Sequence, residues 1–176
     1  MNTNTQAVMF GKASDEWRTP KAFFDRLDAE FGFDVDAAAT ADNALCGVWF
    51  GLDSVPGGYR YDALTLNWRH HGEVFWLNPP YSKCREFIAK ARKESLNGCT
   101  VVCLVPSRTD TRWWHEWVYY GDGLWWPGVE VRFVKGRLKF GGTGKPENSA
   151  PFPSVVIIFR PHKALAGDPR PAEEQE

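Results

Sequence analysis

Glu73-Val-Phe-Trp-Leu-Asn-Pro-Pro-Tyr81 decides the architecture. The run Val74 to Leu77, β-branched and aromatic, reads as a strand, and Asn78-Pro79-Pro80 halts it because proline cannot donate to a ladder. A helix is expected over about 83–96, with Phe87, Ile88 and Ala91 on its apolar face. Thr100-Val-Val-Cys-Leu-Val105 then reads as a second strand, apolar on both faces and ended by Pro106. Strand, helix and buried strand in this order predict a parallel α/β sheet. Asn78 to Tyr81 would lie at the carboxyl end of a strand, where open α/β sheets bind their ligands.

Upstream, Thr19-Pro20 is a capping residue followed by a proline suited to a first helical turn, and Phe23, Phe24, Leu27 and Phe31 recur at helical spacing until Gly32. Phe33-Asp-Val-Asp-Ala-Ala-Ala39 reads as a short strand running into a loop. Downstream, Thr111 to Val118 predicts another helix, and Val129 to Val134, Arg137 to Phe140 and Ser154 to Phe159 predict strands. Gly141-Gly-Thr-Gly, Pro151 and Pro153 make a long loop before the last strand, so the sheet is expected to end in an antiparallel hairpin. Residues 1–13 and 161–176 are expected to be unstructured, leaving one domain over 14–160.

The 176 residues suit one hydrophobic core rather than two. No apolar run approaches the roughly 18 residues a membrane span needs, and the start has neither the basic nor the apolar part of a secretory leader. A soluble cytoplasmic protein is the expectation. Cys46, Cys84, Cys99 and Cys103 are too scattered for a disulfide framework, and without a second Cys or His pair at ligand spacing they are read as reduced core residues, with no metal. The formal net charge is −1, yet residues 83–145 carry 12 Lys/Arg against 6 Asp/Glu. Such a basic block suits a polyanion when the fold gathers it on one face, and a solvated mixed surface otherwise.

Chemistry concentrates in Asn78-Pro79-Pro80-Tyr81. The Asn78 amide offers an acceptor for an amino hydrogen, Pro79 leaves its carbonyl as a second, and the Tyr81 ring offers a stacking face, while Pro80 fixes the loop. Two acceptors on one exocyclic amine draw its lone pair out of the ring π system, so that a poor nucleophile can attack a methyl sulfonium in line. That is preorganised electrostatics, with no general base or metal required. A plain strand-ending turn has the same four residues, so the loop does not settle the matter alone.

The loop resembles the fourth motif of the amino-methyltransferases, in the Asn-initiated form familiar among N6-adenine enzymes. Ser14-Asp-Glu-Trp-Arg-Thr-Pro20, Phe33-Asp-Val-Asp-Ala-Ala38, Asp62-Ala-Leu64 with Trp68, and Leu104-Val-Pro-Ser-Arg-Thr-Asp110 occur around it in the expected order. Together they are similar to the compact, Dam-like, phage-type DNA N6-adenine methyltransferases over about residues 14–159. The resemblance implies a single Rossmann-like α/β methyltransferase domain, S-adenosyl-L-methionine as cofactor, double-stranded DNA as partner, and a phage or prophage gene. It implies that Trp17, Thr19 and Pro20 line the methionine end of the cofactor and that Asp34 and Asp36, sharing a strand face, bring Asp36 to its ammonium. Asp62, 16 residues before Asn78, would hold the cofactor's adenine amine, and Asn43 would contact its ribose. The family's glycine-rich loop after the first strand is replaced here by Asp36-Ala-Ala-Ala39.

An adenine amine inside a duplex is out of reach of such a loop, so the resemblance implies that the base is flipped out and stacked on Tyr81. Lys83, Arg85, Arg108, Arg112, Lys135, Arg137, Lys139 and Lys145 are the candidates to neutralise phosphates. Trp113 and Trp117 are expected to form a buried stripe, with Trp114 facing outward to fill the gap a flipped base leaves. The same loop serves enzymes that methylate RNA amines or glutamine amides in protein. Cytosine-N4 enzymes more often begin it with Ser, and a catalytically silent DNA-binding phage protein is the reading from another class.

Overall fold

The computed structural model describes residues 17–51, 62–141 and 148–163. The expected unstructured ends lie almost wholly outside these, as does Lys145. Six strands form the main sheet. They are β1 (Val35–Asp36), β2 (Val48–Trp49), β3 (Val74–Leu77), β4 (Thr100–Pro106), β7 (Val129–Phe133) and β10 (Ser154–Phe159), ordered β2-β1-β3-β4-β10-β7. The β1–β2, β1–β3 and β3–β4 pairs are parallel, and β10 runs antiparallel to both β4 and β7.

Alternation along β3, β4 and β10 sends successive side chains to opposite faces, and each face is covered. On one side α1 (Lys21–Phe31) lays Phe24 and Leu27 against Trp76, Val102, Leu104, Val156 and Ile158. On the other, α2 (Cys84–Leu96) and α3 (Arg112–Trp117) lay Phe87, Ile88, Ala91 and three tryptophans against Phe75, Leu77, Val101, Cys103, Ile157 and Phe159. Strands covered on both sides need no polar face, which is why 100–105 is uniformly apolar. The result is an α/β domain with a mixed, mostly parallel sheet and few helices, compatible with a methyltransferase fold.

Two expectations at the carboxyl third need correction. The last strand does not close a hairpin with 137–140; β10 inserts between β4 and β7, where both of its edges are paired. The segment 137–140 contributes only β8 (Lys139–Phe140), which pairs with β9 (Asn148–Ser149) as a separate ribbon. A second ribbon, β5 (Tyr119–Gly121) with β6 (Leu124–Trp125), turns at Asp122-Gly123, both at positive φ.

The parallel strands share a direction, so their carboxyl ends meet at one edge. Asp36 closes β1 beside Trp76, Asn78 follows Leu77, and Pro106 ends β4.

Candidate active site

Asn78 leaves the end of β3 with its amide pinned on one side. Nδ2 donates to the Trp17 carbonyl at 2.6 Å and to Thr19 Oγ1 at 3.1 Å. A backbone carbonyl can only accept, so the amide nitrogen must face Trp17 and the oxygen must face away. Oδ1 is buried, with no hydrogen-bond partner among the described residues. Buried acceptors are nearly always paired, and one left open beside a cavity is prepared for a donor from outside.

Pro79 is buried, and Pro80 (φ −57°, ψ 129°) leads into a single 3-10 turn, Tyr81–Lys83, ahead of α2. The Tyr81 ring stacks on Trp17 with centroids 6.4 Å apart and planes 18° apart, and meets the edge of Phe152 at 5.2 Å. Its hydroxyl is buried without a partner among the described residues, and burial pushes the phenol well above its ordinary range, so it stays neutral.

Beside the loop is a cavity of about 400 Å³ at the carboxyl ends of β1 and β3. It gathers Trp17, Thr19, Asp36, Asn43, Asp62, Asn78, Pro79, Pro80 and Lys83 from the residues singled out in the sequence. Asp36 is 3% exposed, and its partners among the described residues are two backbone amides, Leu45 N at 3.1 Å and Ala38 N at 3.4 Å. Burial raises its carboxyl from 3.8 to about 6, against the pull of those amides. Asn43 Oδ1 accepts from Thr40 N at 2.7 Å and Asp62 Oδ1 from Leu64 N at 3.0 Å, so both shape the turns that wall the cavity.

Pro20, Asp34 and Tyr81 do not line it, and the Tyr81 ring lies against Trp17 and Phe152 instead. Pro20 starts α1, while Asp34 lies at the amino end of β1 and accepts from Glu73 N and Val74 N at 2.8 and 3.0 Å. Sharing a strand face with Asp36 does not bring it to the site, because the site lies at the strand end. The Thr19 hydroxyl makes no cap bond to α1; it bonds to Asn78 instead. Sequence reading missed Arg18, Thr40, Leu45, Leu64 and Ser82 in the lining. It also missed Gly51, where a Cβ would lie 2.2 Å from the Ala39 carbonyl oxygen. The missing Cβ lets the segment after β2 pack directly against the backbone of the segment after β1.

Lys83, Arg85, Arg108, Arg112, Lys135, Arg137 and Lys139 are all exposed. Arg85 and Arg112 share Glu116, at 3.4 and 2.5 Å, and Arg85 also lies over the Trp117 ring. The 135–141 segment runs beside the site, since Gly141 pairs with Arg18 and Phe140 packs edge-on against Trp17 at 5.5 Å. Trp114 overturns its expectation: it is 3% exposed, wedged between Trp113 and Trp125. The short α3 is covered by both α2 and the β5–β6 ribbon, so its tryptophans are buried together. Among the described residues no three His, Cys, Asp or Glu side chains converge as a metal site, and no helix is long and apolar enough to cross a membrane.

The family described as DNA N-6-adenine-methyltransferase (Dam) matches residues 6–172. The chain belongs to the Dam family. It is 28% identical over 159 residues to the DNA N-6-adenine-methyltransferase of Escherichia phage T1, covering 83% of this chain and 63% of the relative. It is 26% identical over 152 residues to that of Haemophilus phage HP1 (strain HP1c1), covering 84% of this chain and 79% of the relative. The Dam match thus takes in the whole candidate site, from Trp17 to the β8–β9 ribbon.

Proposed function

We propose that the protein is a single Rossmann-like methyltransferase domain that transfers a methyl group from S-adenosyl-L-methionine to N6 of an adenine flipped out of double-stranded DNA. The observation that carries this reading is the Asn78 amide at the cavity wall, its nitrogen tied by two hydrogen bonds and its buried Oδ1 left without a partner among the described residues. Family membership and the phage relatives support the choice of adenine and DNA.

The cavity suits a zwitterionic, adenine-bearing cofactor. Asp36 is a buried carboxylate without a cationic partner among the described residues, and an ammonium placed there would offset its desolvation. The alanine run Ala37–Ala39 lines that wall with small side chains, so a ligand can come close to the backbone there. Asp62, which lines the same cavity, is the acceptor for an adenine amine, and Asn43 is the candidate for a ribose hydroxyl. The cofactor supplies an electrophilic methyl carried on a sulfonium.

The chain's own residues do the rest. Asn78 Oδ1 and the Pro79 carbonyl accept the two N6 hydrogens, which turns the lone pair toward the methyl group. Tyr81, kept neutral by its surroundings, offers its ring to the base. As the N–C bond forms and the methyl–sulfur bond breaks to leave a neutral thioether, the nitrogen becomes acidic, and its proton leaves by way of Asn78 Oδ1 or water. Lys83 at the cavity mouth, with the exposed cations of 108–112 and 135–139, meets the backbone phosphates.

Asn78→Ala removes the acceptor without touching Asp36 or Asp62. Methyl transfer should fall at least about a hundredfold, the scale of losing one preorganised hydrogen-bonding group at a reacting centre. Cofactor affinity by calorimetry should stay within about threefold. Retained turnover would remove Asn78 from the chemistry.

A further inference from the structure

Thr19 stands where a helix-capping threonine is expected, directly before Pro20, yet its hydroxyl caps nothing. The first amides of α1, at Phe23 and Phe24, bond to the Pro20 carbonyl at 2.9 and 3.1 Å, and no side-chain cap bond is made. Thr19 Oγ1 instead accepts from Asn78 Nδ2. An amide nitrogen has two hydrogens, and both are used: one goes to the Trp17 carbonyl and the other to Thr19.

Each bond alone would leave freedom. The Trp17 carbonyl decides which end of the amide faces inward but tolerates rotation about the bond; the second acceptor fixes the amide plane. With both made, the lone pairs of Oδ1 have one direction, and donation from the nitrogen polarises the oxygen into a stronger acceptor. A buried oxygen left without a partner is costly, so an unclamped amide would turn to find one.

We infer that Thr19 is a positioning residue for methyl transfer, its hydroxyl acting with the Trp17 carbonyl to hold Asn78 Oδ1 aimed at the amine to be methylated. The inference rests on the reading of Asn78 given above and adds a residue that acts through it. It also distinguishes Thr19 from a mere wall of the cofactor cavity, which it lines as well. A wall residue would affect cofactor affinity; a clamp affects the rate at saturation.

The test uses the full chain, S-adenosyl-L-methionine and unmethylated duplex DNA, both saturating. Thr19→Val keeps the shape and deletes the acceptor, and should lower kcat about fivefold to tenfold, the consequence of one lost neutral hydrogen bond. The cofactor dissociation constant should remain within about twofold, and Thr19→Ser, which restores a hydroxyl, should recover most of the rate. Wild-type kcat in Thr19→Val, equal loss in Thr19→Ser, or a fall in cofactor affinity that accounts for the whole effect would overturn the clamp.

Hydrogen exchange gives a readout free of turnover. The Asn78 side-chain NH2 pair, assigned by its loss in Asn78→Ala, should exchange slowly in the unmodified protein and faster in Thr19→Val. Unchanged exchange would overturn the inference. If the unmodified protein transfers no methyl to adenine while the exchange difference is present, the enzymatic reading fails and the orienting bond stands only as structure.

Discussion

Asp36 carries the clearest pH signature in the site. Its carboxyl is held at about 6 in the folded protein, against 3.8 for an unhindered aspartate, so it is protonated in both folded and unfolded chains below about pH 4. Between pH 4 and 6 it ionises first in the unfolded chain, and above 6 the fold bears the full cost of a buried charge. If that charge is the partner of the cofactor's ammonium, affinity should be level between about pH 6 and the ammonium's own titration at about 8, and weaken about tenfold for each unit below 6, as calorimetry at constant ionic strength would read. Asp36→Asn should remove that dependence and weaken binding at least about tenfold, while the melting temperature at pH 7.5 stays level or rises. A pH-independent affinity would separate Asp36 from the cofactor. The sequence signalled this residue because an aspartate is out of place at a strand end. Gly51 gave no such signal, since its need for a missing Cβ arises from Ala39, twelve residues earlier in the segment after β1.

At the scale of elements, legibility followed local pattern. Helix α1 with its Gly32 stop, helix α2 and strand β4 were readable because 3.6-residue spacing and an unbroken apolar run are strong local signals. Strand β2 has two residues, too few for any period, and the insertion of β10 between β4 and β7 is a long-range pairing that no local pattern encodes. The burial of Trp114 belongs to the same class. Helical spacing placed it off the Trp113–Trp117 stripe, but the β5–β6 ribbon covers that side of the six-residue helix as well. Trp114→Ala should therefore cost about 3–5 kcal/mol of stability in urea unfolding. A stability change under about 1 kcal/mol with a large loss of DNA affinity would restore the outward-facing reading.

For the whole molecule, the net charge of −1 conceals the basic block that follows the loop on the chain. The exposed Lys135, Arg137 and Lys139 lie on the segment that reaches Trp17 through Phe140 and Gly141, so the fold brings this part of the block to the site. If these side chains meet phosphates, plots of log Kobs for duplex DNA against log salt should lose about 0.9 of slope for each one changed to alanine, with little change in cofactor affinity. An unaltered slope would place the phosphates elsewhere. Arg85 and Arg112, tied to Glu116, should contribute less than their charges suggest. All of this depends on the open acceptor at Asn78 being turned toward an adenine amine. The most direct measurement is transfer of a labelled methyl group from S-adenosyl-L-methionine to unmethylated duplex DNA, with nucleoside analysis of the product. Label recovered as N6-methyladenine, and lost with Asn78→Ala, is the predicted result; label in cytosine, or none in DNA while the cofactor binds, would contradict it.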